Sequence, residues 1–122
     1  MRLPGAQTAL STFEHYVHHE DVRRATSSWV PRRLASADQA ALWQQLSARA
    51  QWYLRTAPIG LRLVAPDHAV IEVSGSADDV LTLTGLPGEL VLHVHGRRDQ
   101  AQVEVAGSEF ARLAWDRHGL RV

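Results

Sequence analysis

The chain has 122 residues, 45% of them hydrophobic, with thirteen basic residues balancing thirteen acidic ones. That is one domain's worth of chain with enough apolar content for a core, and its charge balance argues against a general nucleic-acid or anionic-membrane binder. Cysteine is absent, which excludes disulfides, thiolate nucleophiles and cysteine-held zinc, so any metal must be held by His, Asp, Glu or backbone oxygen.

The first element reads as a helix from about Ala6 to Ala25, ended by Thr26-Ser27-Ser28 and Pro31. On a wheel of 100° per residue, Leu10, Val17, His18 and Asp21 fall within about 60° of Glu14, which makes this the expected buried side. Tyr16, His19 and Arg23 are expected to project the other way. A second helix opens at Ser36, a natural N-cap, with Gln39 three residues later completing a capping-box pattern. Its stripe is Leu42, Leu46, Ala50 and Tyr53, with Trp43 and Leu54 alongside, and Pro58 and Gly60 close it.

After Gly60 the periodicity changes. Leu61 to Ala65 and Ala69 to Ser74 read as a hairpin around Pro66-Asp67-His68, and Val80 to Thr84 as a further strand. Glu89 to Gly96 is ambiguous in composition. As a strand it would place His93 and His95 on one face as a His-x-His pair. Pro87 at the start and Gly96 at the stop favour a helix, which splits the two imidazoles onto different faces. Gln102 to Ala106 reads as a short strand, and Ser108 as the cap of a last helix ending near Asp116.

The fold class expected is α+β: two N-terminal helices, then a small, mainly antiparallel sheet with one or two helices packed against it. No apolar run approaches the ~20 residues of a membrane span. With no signal-peptide core at the N-terminus either, the expected location is the cytoplasm.

The candidate chemistry lies in the first helix. Glu14 and His18 sit one turn apart, and a carboxylate and an imidazole at that spacing grip one divalent ion from the same helix face. On the expected inward side, Asp21 is a third ligand or an acceptor for an imidazole N–H. The plainer reading is a hydrogen-bonded i, i+4 pair on a partly exposed helix. His15 and His19 point elsewhere, and His68 and His118 stand alone. Glu20, Asp21, Arg23 and Arg24 read as a solvated charge network rather than a substrate clamp. Trp29, Trp43, Trp52 and Trp115 read as core or interface aromatics. No phosphate loop, nucleophile elbow or HExxH motif is present.

The run Glu14…Val17-His18-His19-Glu20-Asp21-Val22-Arg23-Arg24-Ala25 resembles the last bundle helix of actinobacterial metal-binding proteins of the mycothiol-dependent maleylpyruvate isomerase and DinB-like group. The similarity continues through Trp29, Pro31-Arg32, Leu34, Leu42-Trp43, Pro58 and Gly60. Gly85-x-Pro87-x-Glu89-Leu90 and Gly96-Arg97 resemble the sterol-carrier-type C-terminal domain of such proteins. The resemblance implies residues 1–57 as the end of a metal-binding bundle and 58–122 as a sterol-carrier-like α+β domain. It implies Glu14 and His18 as ligands of a divalent metal, zinc foremost, and mycothiol as a thiol cofactor. The family's other metal-binding His lies on an earlier helix to which nothing here corresponds, so the chain reads as the C-terminal part of such a protein.

Two functions follow as expectations. One is a metal-binding relative of the mycothiol-dependent isomerases and transferases whose ligand set is completed from outside the chain. A homodimer pairing two copies of the first helix would supply those ligands and cover Leu10, Phe13 and Val17. The other is a non-enzymatic α+β module that binds an apolar ligand or a partner protein.

Overall fold

The computed structural model describes residues 9–26, 29, 34–75 and 78–118, with side chains other than those of 9–14 and 53. In chain order these form α1 (Ala9–Arg23), α2 (Ser36–Tyr53), β1 (Gly60–Val64), β2 (Ile71–Val73), β3 (Val80–Thr84), α3 (Pro87–Val94), β4 (Glu104–Ala106) and α4 (Glu109–Arg117). The four strands form one sheet in the order β2-β1-β3-β4. β1 pairs antiparallel with β2 and parallel with β3, and β3 pairs antiparallel with β4. This is the α+β arrangement expected, two N-terminal helices and then a sheet, and the sheet is mixed: its two outer pairings are antiparallel and its central one parallel.

Strand alternation builds one side of the core. Leu61, Leu63, Ile71, Val73, Leu81 and Leu83 are buried, while Arg62 and Glu72 between them are exposed. Onto this face pack Leu42, Leu46, Ala50 and Leu54 of the second helical segment and Leu90, Val91, Leu92 and Val94 of α3. Each fully buried Leu or Val contributes roughly 1.5–3 kcal/mol by leaving water. The same cluster takes in Tyr16 and Val17 of α1, so it runs through both of the segments 1–57 and 58–122.

The ambiguous stretch is helical, and every residue of α3 is buried. Its ends explain why local β-propensity loses. Pro87 occupies the first turn, where its missing N–H is no loss. At the other end Gly96 takes φ 87°. Its N–H reaches the His93 carbonyl at 3.1 Å, and the Arg97 N–H reaches that of Leu92 at 2.9 Å, a Schellman closure. The hairpin turn also matches its sequence: Asp67 takes φ 63°, the left-handed conformation that Asp tolerates better than most residues.

One local expectation fails. The N-cap of α2 is Ala35 and no side chain caps it. Gln39 does not fold back on its own helix; its Oε1 accepts from the Gly88 N–H of α3 at 3.0 Å. A tertiary partner has replaced the capping box, satisfying a donor that the first turn of α3 leaves open. At the last helix the expectation holds, with Ser108 Oγ accepting from the Ala111 N–H at 3.1 Å.

Candidate functional site

α1 reaches the rest of the fold through charge. Just beyond its end, the Arg24 guanidinium donates to both oxygens of Glu89, each at 2.7 Å. Its Nε donates to Glu20 Oε1 at 3.0 Å, and Nη1 also reaches the Gln100 carbonyl at 2.6 Å. Glu89 Oε1 in turn accepts from the Gln102 N–H at 2.9 Å. Arg24, Glu20 and Glu89 are all buried, at 4%, 0% and 5% exposure. Arg23 closes the outer edge with a bond to Glu20 at 2.8 Å, and Trp29 lies against the Arg24 guanidinium, 4.5 Å from ring centroid to carbon. The expectation of a solvated network at Glu20, Asp21, Arg23 and Arg24 is therefore corrected for Glu20 and Arg24, whereas Asp21 and Arg23 are partly exposed. Burial of this kind requires near-complete pairing, which the bidentate Arg–Glu contact and the two backbone bonds provide.

This network rotates the helix away from the expected orientation. Tyr16, Val17, Glu20 and Arg24 form its buried side, and Gly88 allows the close approach, since a Cβ there would lie 2.5 Å from the Tyr16 hydroxyl. Val17 is inward as expected, but Tyr16 is inward against expectation. His18 is exposed rather than buried, together with His15 and Val22. The wheel misplaced the face because it counted Glu20 and Arg24 as outward charges, and two buried ion pairs shift the buried arc toward them. His15, set aside in the sequence, shares the exposed strip with His18 at i, i+3. The Glu14 side chain lies outside the described residues. Val17 is covered by its own chain, so it is not a surface that a partner helix would cover.

Asp21, expected as a third ligand, is held elsewhere. Both of its oxygens accept from Arg97, at 3.1 and 3.0 Å. This joins α1 to the loop after α3 a second time.

The other histidines belong to structure. His93 Nε2 accepts from the Trp115 indole N–H at 2.9 Å, so its proton sits on Nδ1, which has no hydrogen-bond partner. Burial, with the Arg98 charge adding and Asp116 opposing, pushes the His93 imidazole down to about 4. His95 Nδ1 bonds the Val91 carbonyl at 2.7 Å, and burial lowers its pKa too. His68 packs beside Trp43, 5.6 Å between ring centroids. His118 stacks on Trp115, with the Arg98 guanidinium 4.1 Å from the Trp115 ring centre. Trp43 and Trp115 are core aromatics, whereas Trp52 is 63% exposed and carries Arg55 across its ring.

Among the described residues no three His, Cys, Asp or Glu side chains gather in a metal-binding arrangement. Glu14 is the one such residue of the sequence whose side chain is outside that set. Of the expected pair of ligands, the structure describes the exposed His18 imidazole alone. No helix among the described residues is long and apolar enough to cross a membrane. Comparison with protein-family models, with curated proteins and with solved structures finds no match to this chain.

Proposed function

We propose that the chain is a divalent-metal-binding module related to the mycothiol-dependent maleylpyruvate isomerase and DinB-like group. In this reading α1 presents Glu14 and His18 as two ligands of one ion, zinc foremost, and a group beyond the described residues completes the shell. The observation that carries it is the exposure of His18 on a helix whose opposite side is clamped by Arg24, Glu20 and Glu89. An imidazole held outward on a helix loses little entropy on coordination, and Glu14 precedes it in the same helix by four residues, about one turn. A zinc ion so bound would act as a Lewis acid toward a thiol, mycothiol in the related proteins, or a carbonyl. The module would work in the cytoplasm. Its sterol-carrier-like part would be the platform that fixes α1 in place.

The test is metal content. Tag-free protein dialysed against zinc is expected to retain stoichiometric metal, and His18→Ala or Glu14→Gln to lose it while the melting temperature of the metal-free protein is unchanged. Metal-free wild-type protein after the same dialysis, with a melting temperature indifferent to chelator, overturns the reading.

One observation favours the second reading, an apolar-ligand or partner-binding module. Phe110 and Leu113 are exposed one turn apart on α4, at 61% and 47%. Beside them a shallow groove of about 350 Å³ is lined by Thr56, Pro58, Ala114, Arg117 and His118. Binding of an apolar probe dye that Leu113→Asp removes, in protein that holds no zinc, would select this reading over the first.

A further inference from the structure

The outward side of α4 carries an apolar stripe that ends in a cation. Phe110, Leu113, Ala114 and Arg117 fall at i, i+3, i+4 and i+7 on one arc of the helix, while Ala111 and Trp115 are buried on another. Phe110 and Leu113 are exposed, and Ala114 and Arg117 line the groove together with Thr56, Pro58 and His118. At about 350 Å³ the groove is of the size of the smaller sites that hold organic ligands.

The polar groups of this groove have no partner within the fold. The Arg117 guanidinium makes no hydrogen bond or ion pair with any described residue, and neither does the Thr56 hydroxyl. Asp116, the acid next to Arg117 in sequence, lies about 100° round the helix, where its charge acts on Arg98 and His93. The neighbouring arginines are engaged: Arg98 donates to the Trp115 and His118 carbonyls, Arg112 to that of Val105, and Arg55 lies over Trp52. His118, whose ring stacks on Trp115, adds a nitrogen with no hydrogen-bond partner, Nε2. Burial and the Arg98 charge lower its pKa, so the imidazole is neutral near pH 7 and free to carry its proton on that nitrogen.

We infer that the groove binds a small organic acid, an apolar body ending in a carboxylate, with Arg117 holding the carboxylate and Leu113, Ala114 and Pro58 receiving the body. This rests on the apolar-ligand reading above, not on the metal-binding one, and names the charge that its ligand carries. A guanidinium engages a carboxylate through two parallel N–H bonds. Arg117 stands three and four residues beyond Ala114 and Leu113, one turn of about 5.4 Å, so a carboxylate on the arginine leaves the next few carbons of the same molecule over those side chains. The Thr56 hydroxyl and, after a small turn of its ring, His118 Nε2 would serve the remaining lone pairs. A neutral apolar molecule would leave Arg117 unused, and a bare anion would leave the stripe in water. The arrangement selects a molecule with both parts.

Nuclear magnetic resonance titration of the isotope-labelled protein at neutral pH tests it, with 3-phenylpropionate as probe and 3-phenylpropionamide as its uncharged counterpart. The acid is expected to shift the backbone N–H signals of Thr56, Ala114, Arg117 and His118 saturably. The uncharged probe is expected to bind about ten-fold more weakly, for want of the charge-assisted contact. Arg117→Gln, an exposed change that leaves the circular dichroism spectrum as it is, is expected to bring the acid down to the level of the uncharged probe. Equal binding of the two probes in the groove overturns the carboxylate assignment and leaves the apolar-ligand reading standing. Absence of both from the groove at millimolar concentration overturns both. A preference for the acid that survives Arg117→Gln overturns the role of Arg117.

Discussion

Arg24 and Glu89, 65 residues apart in sequence, meet in a buried bidentate ion pair with both bonds at 2.7 Å. Removing one partner of such a pair strands the other charge away from water, at a cost of about 3–5 kcal/mol. Arg24→Met is therefore expected to lower the unfolding free energy by about that amount in urea titration. The double variant Arg24→Met, Glu89→Gln is expected to recover part of the loss, because Glu20 keeps Arg23. A loss below about 1 kcal/mol in the single variant would mean that water reaches the pair.

Asp21 and Arg97 make a similar contact in a different setting. Their side chains are 35% and 30% exposed, and partly hydrated pairs contribute about 0–1 kcal/mol. Asp21→Asn is expected to change stability by less than about 1 kcal/mol and to do so more at low salt than at high. Parallel urea titrations at two salt concentrations check this, and a loss as large as that of Arg24→Met would contradict it.

His93 sets an acid limit on the fold. Its imidazole is pushed down to about 4 in the folded protein, against about 6.5 when unfolded. Between those values the unfolded chain binds a proton that the folded chain refuses, so stability present at neutral pH is lost as pH falls. The loss from this group is on the order of 3 kcal/mol by pH 4. Protonation would also turn Nε2 from acceptor into donor and break its bond with Trp115. Burial lowers the pKa of His95 and His118 as well, so they act in the same direction. Thermal melts of wild type and His93→Asn from pH 7 to 4.5 are expected to show a shallower acid decline in the variant. Equal declines would remove His93 as a main source of acid sensitivity.

Ser108 caps α4 with its hydroxyl, which also donates to Asp79. Ser108→Ala is expected to cost about 0.5–2 kcal/mol, a fall of roughly 2–10 °C in melting temperature for a chain of this size. Ser108→Thr should recover most of it. An unchanged melting temperature in Ser108→Ala would show that water serves the Ala111 N–H equally well.

Where the sequence carried its own local reason, the structure could be read from it. Pro87 and Gly96 bracket α3, Ser108 starts α4, and the apolar alternation of Leu61, Leu63, Leu81 and Leu83 marks the sheet face. The orientation of α1 was not legible, because Glu20 and Arg24 look like surface charges until Glu89 and the Gln100 carbonyl are brought to them from far along the chain. Gln39 misled for the same reason, its partner being the Gly88 N–H rather than its own helix. One signal was available. Glu89 follows Pro87 within an otherwise apolar run, and a lone acid in a segment due for burial asks for a cation.

The link from α1 to α3 also sets an order of events during synthesis. At about 5–20 residues per second, the 65 residues between Arg24 and Glu89 take on the order of 3–13 s to make. Through that interval two of the four described docking residues of α1, Glu20 and Arg24, are charges that remain well hydrated on a nascent chain, beside the apolar Tyr16 and Val17. A helix whose docking side interleaves charge with a small apolar patch offers less sticky surface to its neighbours while it waits for its acceptor.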